Sequence, residues 1–252
     1  MSAVPADAFV KRDANAPPGF FEAEARGLRW LAAAAGGVPV AAVRDVAPGR
    51  LVLERLVPVD PTRPHAEELG RGLARTHQTG APVWGREDGD GFVGPLPLPN
   101  GPFPSWHELW WQGRVEPYLR QAVDRGELGT QDAAAVERVV AGTAVPPDPR
   151  PSRLHGDLWA GNVVWTARGA VLVDGAAAHG GHREADLAML ALFGLPHLEH
   201  VLRAYDEEWP IAPGWEQRVP FWQLHPLLVH VVLFGGRYVA AVRSAATVRR
   251  RE

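Results

Sequence analysis

Cysteine is absent from the 252 residues, which excludes disulfides, thiolate catalysis and cysteine–zinc sites. Lysine is almost absent: of 26 basic residues, 25 are Arg and one, Lys11, is Lys. Asparagine occurs only as Asn15, Asn100 and Asn162. No apolar run approaches the roughly 18–20 residues that a membrane helix needs. The first nine residues lack the basic and apolar segments of a signal peptide. The net charge is only −3, so no general footprint for nucleic acid is present. The expectation is a cytoplasmic protein with neither a membrane nor a nucleic-acid partner. With 46% apolar residues, the chain can bury the core of one large domain or two small ones.

These scarcities make the survivors informative. The excess of Arg, Ala, Gly and Pro points to replacement of Lys by Arg wherever solvation is all that matters. A Lys kept in such a chain is a candidate for a site that needs a compact ammonium, which a planar guanidinium does not fill. The alternative is chance survival on a surface.

Along the chain, residues 7–11 read as a short strand ending in Lys11, and Pro17-Pro18-Gly19 breaks it. Residues 20–35 read as a helix stopped by Gly36-Gly37, with an apolar stripe of Phe21, Leu28, Leu31 and Ala35. Glu24 falls on that stripe, whereas Glu22 falls beside Arg26 and Arg29 on the opposite, solvated face. Residues 38–46 and 50–57 read as strands joined at Pro48-Gly49. Residues 1–58 are therefore expected to form a small strand-rich lobe and 59–252 a larger, mainly helical one. In the latter, helices are expected at 65–79, 106–125, 131–142, 184–193, 198–209 and 215–243, the last with breaks or kinks at Pro220 and Pro226. Residues 80–104 read as a loop, 146–151 as a rigid linker, and 163–165 with 171–173 as a hairpin. The basic tail Arg249-Arg250-Arg251 reads as a frayed end.

Residues 155–162 are His-Gly-Asp-Leu-Trp-Ala-Gly-Asn, and Asp174 follows at the end of the expected hairpin. Phosphoryl transfer from a nucleotide needs such a set. One carboxylate, Asp157, would orient the attacking hydroxyl and accept its proton. Asn162 and Asp174 would supply oxygen ligands to Mg²⁺. Either residue alone would read as a turn cap; the joint spacing is what favours a phosphotransferase. His155 reads as support for the loop rather than as a base. Asp186 reads as a cap or brace of the same loop. Trp159 suits an aromatic wall for a sugar, or ordinary core. His179-Gly-Gly-His182 has loop spacing without a third ligand and reads as non-metal.

The small lobe then acquires a role. In kinase-like folds a strand lysine contacts the nucleotide phosphates and is held by a helix glutamate. Lys11 and the inward-facing Glu24 are the candidates, because an unpaired buried acid is strongly disfavoured.

With these residues in place, the chain resembles the fructosamine kinases, or ketosamine-3-kinases. The similar stretches are Phe9-Val10-Lys11, Phe21-Glu22-Ala23-Glu24-Ala25, residues 154–162, residues 181–194, and the region from Pro213-Gly214-Trp215 to Phe234-Gly235. The Trp after His-Gly-Asp-Leu separates this family from aminoglycoside and choline kinases. The resemblance implies an α+β, two-lobed protein-kinase-like fold with an N-terminally shortened strand lobe. It also implies ATP and Mg²⁺ as cofactors, and phosphorylation of a sugar hydroxyl on a ketoamine, small or protein-bound. Asp157 would be the proton acceptor, and Glu54, Arg55 and Leu56 the hinge that meets adenine. Two departures are visible. Asp174-Gly175-Ala176 stands where the family commonly has Asp-Pro-Ala. Eight residues precede Phe9, and they include no glycine-rich phosphate loop. The expectations this leaves are an upstream start, another cover for ATP, or a weak or inactive kinase. An aminoglycoside- or choline-type kinase and a non-catalytic binding protein are the competing readings.

Overall fold

A computed structural model describes residues 5–146 and 150–247. Part of the expected linker at 146–151 and the Arg249–Arg251 tail therefore lie outside the described residues. The chain opens on β1 (Ala8–Arg12), α1 (Phe20–Ala32), β2 (Val43–Ala47) and β3 (Arg50–Glu54). The three strands form an antiparallel sheet in the order β1-β3-β2. Lys11 is paired with Leu51 and Ala8 with Glu54. Phe21, Ala25 and Leu28 of α1 pack with Ala41, Leu51 and Leu53 into one apolar cluster, as the 3.6-residue stripe requires.

Both later strands of this sheet are shorter than expected. Residues 38–42 leave the sheet for the other part of the molecule. The Pro39 carbonyl accepts from Leu172 N, and Ala41 N donates to the Leu172 carbonyl. β3 ends at Glu54, although the next peptide N–H, that of Arg55, still donates to Asp7 O along the same register.

The remainder is mainly helical. α2 (Arg63–Thr79) begins at Thr62, whose hydroxyl caps His65 N, with Pro64 in the first turn. The expected loop at 80–104 contains a small hairpin, β4 (Gly91–Val93) and β5 (Leu96–Leu98). The expected helix at 106–125 is present but not uniform. A short α3 (Trp106–Glu108) passes through a π-helical stretch, Leu109–Val115, into α4 (Glu116–Asp124). α5 (Thr130–Gly142) and β6 (Ser152–Leu154) follow, and then the hairpin of β7 (Val163–Thr166) and β8 (Gly169–Leu172). β9 (His179–Gly181) pairs with β6. The chain ends in α6 (Glu184–Leu192), α7 (Leu198–Glu208), α8 (Trp215–Phe234) and α9 (Val239–Ala245). Pro220 and Pro226 both lie within α8. The expected helix to residue 243 is instead interrupted at Gly235, whose φ of 75° is incompatible with helix continuation.

Two further clusters make the core of this part. One joins α4, the π-helical stretch and α8 around Trp110, Tyr118, Phe221 and Trp222. The other joins α2, the β7–β8 hairpin and α7 around Leu69, Leu73, Leu172 and Tyr205. Among the described residues no helix is long and apolar enough to cross a membrane.

Candidate active site

The loop at 155–162 leaves β6 and is held from beneath by one buried carboxylate. Asp186, in the first turn of α6, accepts from His155 N at 2.8 Å and from Gly156 N at 2.9 Å. His77 of α2 lies 3.2 Å from the same carboxylate through Nε2 and 2.9 Å from the Tyr205 hydroxyl through Nδ1. Burial opposes ionisation of Asp186. The hydrogen bonds from the His77 side chain and the His155 backbone N–H, with the two imidazoles close by, outweigh it and hold the carboxyl below the usual aspartate range. The expected brace is therefore in place. His77 and Tyr205 were not foreseen, although His77 continues the apolar stripe of Ala66, Leu69 and Leu73 on α2 and is fully buried there.

His155 fixes the loop from within. Its Nε2 is 2.8 Å from the Val173 carbonyl, and its Nδ1 is 3.3 Å from Asp157 N. The two contacts together require the Nε2–H tautomer, with Nδ1 as acceptor. Asn162 donates its amide to Asp157 O at 2.8 Å and to the Asp157 carboxylate at 3.3 Å, which leaves the Asn162 side-chain oxygen as its free acceptor. Burial pushes the Asp157 carboxyl up from the usual aspartate range, and His155, His230 and the Asn162 amide offset this only in part.

The hairpin returns the chain as its spacing predicts. Val163 pairs with Leu172, and Val173 N donates to Asn162 O at 3.1 Å. Asp174, the next residue, is left-handed (φ 59°) with a half-exposed side chain. A non-glycine residue in that region stores strain, which is commonest at functional sites. Lys11 from β1 reaches this carboxylate and also pairs with Glu24 Oε1 at 2.7 Å. Glu24 is buried, as its place on the α1 stripe implied. Arg26 turns to Asp88, 3.9 Å away, rather than to Glu22.

The expected hinge follows β3. The Glu54 carboxylate accepts from Ala42 N at 3.2 Å and from Arg168, at the hairpin tip, at 3.3 Å. Arg55 is spent on the Asp7 and Ala6 carbonyls. Leu56 packs against the α1 cluster. Trp159 is 38% exposed, so it is not core. Its indole lies across Gly161, where a Cβ would come within 2.2 Å of the ring. Its edge meets Phe193 at 5.8 Å. His179 is buried, bonded through Nδ1 to Ala177 O, and its pKa is lowered by burial.

The sequence model of the family described as fructosamine kinase matches residues 1–248. A solved structure from Thermobifida fusca, named for a fructosamine-3-kinase, is 48% identical, with a TM-score of 0.88 over 95% of this chain and 84% of that one. A probable ketoamine kinase of Thermus thermophilus is 36% identical over 94% of this chain and 85% of its own length. A macrolide 2′-phosphotransferase of Brachybacterium faecium, 17% identical, superposes with a TM-score of 0.60 over 97% of this chain and 86% of that one. At that identity the likeness speaks for the fold alone, which is the two-lobed protein-kinase-like α+β fold.

Proposed function

The chain belongs to the fructosamine kinase family, a family of ATP-dependent phosphotransferases, and from that premise we propose that it phosphorylates a sugar hydroxyl of a ketosamine. Residues 1–58 form the nucleotide side and 59–252 the acceptor side. The observation that carries this reading is the meeting of Lys11, held by Glu24, with Asp174 at the end of the hairpin. It joins the phosphate-binding half of a phosphotransferase site to the half that carries Asp157.

In this reading Asp157 accepts the proton of the sugar hydroxyl while its oxygen forms the new bond to phosphorus and the bond to the ADP oxygen breaks. Burial makes the carboxylate a better base than an exposed aspartate. Asn162 holds it in one orientation, and His155 and Asp186 hold the loop. Lys11 contacts the phosphates. Glu54, Arg55 and Leu56 line the adenine side, where Leu56 is the candidate for a backbone contact because the Arg55 N–H is already committed to Asp7. Trp159 presents its exposed face to the sugar. The donor set at the metal position is all oxygen, the free Asn162 amide oxygen and the half-exposed Asp174 carboxylate, on adjacent strands of one hairpin end. That fits Mg²⁺, which takes few protein oxygens and completes its shell with phosphates and water. Bound there, it would offset phosphate charge.

The test is Asp157→Asn, which keeps the shape and removes the base. ATP-to-ADP conversion with a fructosamine acceptor is expected to fall by about 10²–10⁴. Unchanged turnover would remove Asp157 from the mechanism.

A further inference from the structure

The reading above gives Lys11 and Glu24 a role but leaves open what holds Glu24 in register. α1 meets the sheet of its own lobe through Phe21, Ala25 and Leu28, and apolar contact of this kind has no direction. A turn of about 20° around the helix axis would carry a carboxylate on its surface by about 2 Å. That is enough to part the 2.7 Å pair with Lys11. α1 touches the rest of the chain at Gly27, where a Cβ would collide with Gly175 O. One such contact is a pivot; a second, away from it, is needed to stop the rotation.

The second contact is at Trp30, six residues beyond Glu24. Its half-buried ring carries two guanidiniums, that of Arg86 at 4.7 Å from the ring centre and that of Arg153 at 4.6 Å. Arg153 adds direction. It donates through Nη1 to Trp30 O at 2.6 Å and through Nε to Gly80 O at 3.3 Å. Trp30 O lies in the last turn of α1, and Gly80 is the C-cap of α2. One cation therefore sits at the carbonyl ends of both helices, where their dipoles favour it. Arg153 itself lies in β6, two residues before His155. Arg86 is held by Asp88, which also lies 3.9 Å from Arg26 of α1. No carboxylate among the described residues pairs with Arg153, and burial, then the Arg86 charge, lowers its pKa. The two like charges repel; the indole face and the helix-end carbonyls offset this.

We propose that Trp30 and Arg153 are positioning residues for the phosphate side of the site: they key α1 to β6 and so hold Glu24 against Lys11. The proposal rests on the kinase reading and deepens it. It makes α1 part of the body that carries Asp157 and Asp174, because the strand that feeds the 155–162 loop also fixes the end of the helix. Neither residue touches substrate. Both act through the Glu24–Lys11 pair, so their loss should be felt by the nucleotide and not by the acceptor.

The test is MgATP binding by titration calorimetry, with the acceptor omitted. Trp30→Leu is expected to weaken it about three- to tenfold, the size of a coupling carried through packed side chains, and Arg153→Gln to do the same. Trp30→Phe keeps an aromatic face for the guanidiniums and should stay within about twofold of wild type. Steady-state kinetics should divide in the same way: in Trp30→Leu the KM for MgATP rises and that for a fructosamine acceptor does not. In a Glu24→Gln background Trp30→Leu should add less than about twofold, because both changes act on one ion pair. Should Trp30→Leu fail to fold, as a thermal melt would show, Arg153→Gln decides, since Arg153 is only partly buried. Unchanged affinity in Trp30→Leu and Arg153→Gln, or a full second loss in the Glu24→Gln background, would overturn the positioning role and leave the kinase reading standing. A wild type that bound no nucleotide would overturn both.

Discussion

Two helices support the site, and they do so with different chemistry. α2 lies so close to α7 that a Cβ on Gly70 would fall 2.2 Å from Val201 O. From there His77 hands its contact to Asp186 and Asp186 to the backbone of the 155–162 loop, all of it buried. α1 lies as close to the residue after Asp174, where a Cβ on Gly27 would fall 1.8 Å from Gly175 O. Its line runs from Glu24 to Lys11 to Asp174 and ends on a carboxylate whose side chain is 44% exposed. The α2 line is closed: every polar group in it is satisfied by protein, so it shapes the loop whether or not a ligand is present. The α1 line is open at its end, and there a ligand can exchange with Lys11 for the Asp174 carboxylate. One line holds the loop that carries Asp157; the other ties Lys11 of the small lobe to the Asp174 carboxylate.

The largest effect should come from breaking the closed line. Asp186→Ala leaves two loop N–H groups without a buried acceptor, and removing one partner of a buried ionic network typically costs about 3–5 kcal/mol. Urea unfolding measures it, and a loss below about 1 kcal/mol would mean that Asp186 does not shape the loop. The two glycines give the sharpest contrast. Gly27→Ala and Gly70→Ala each force backbone apart and should each cost about 1–3 kcal/mol. Only Gly27→Ala is expected to lower kcat, by at least tenfold, and to raise the Mg²⁺ concentration needed for half-maximal rate. Equal kcat per folded molecule in the two variants would erase the distinction between the lines.

Lys11→Arg probes the open line without disturbing the fold. The wider guanidinium should misplace the phosphates and lower activity about tenfold, or about 1.4 kcal/mol of transition-state stabilisation, with little change in melting temperature. The smallest effect is a stability effect of opposite sign. Burial raises the pKa of Asp157 in the folded state, so its charge destabilises the fold at neutral pH, and protonation relieves this as pH falls through the raised value. Asp157→Asn should therefore melt slightly higher than wild type near pH 7, and the advantage should vanish in acid. Asp186 behaves the other way: its lowered pKa contributes stability above the usual aspartate pKa, which is lost as pH falls through the lowered one. A variant of Asp157 that melted lower than wild type at neutral pH would contradict the contrast between the two carboxylates.

What was legible in the sequence was what lies close in the chain or repeats with a period. The 155–162 loop and Asp174 are joined by a hairpin whose length could be counted. Glu24 is legible as the partner of Lys11 because the helical period turns it inward and the composition leaves one lysine to meet it. The His77–Tyr205 contact was not legible, because it depends on α2 meeting α7 across 128 residues. Nor was the π-helical stretch at Leu109–Val115, within which Arg114 is tied to Pro99 O and Asn100. The same holds for residues 38–42, which have strand composition but bond to Leu172 of the β7–β8 hairpin. In each case the deciding partner is far away in sequence and carries no periodic mark. The sequence leaves Trp159 between wall and core, and its exposure puts it on the surface.

Lys11 is the only side-chain amine among the 252 residues, and its nitrogen is engaged by two carboxylates. Reducing sugars modify proteins when such amines, unprotonated, attack the carbonyl carbon of the open-chain sugar and water is lost. A chain that carries arginine in place of nearly every lysine, and keeps its one ε-amine tied up in ion pairs, offers very little for that chemistry to act on. The chain is thus a poor target, at its side chains, for the chemistry that makes the substrate proposed for it.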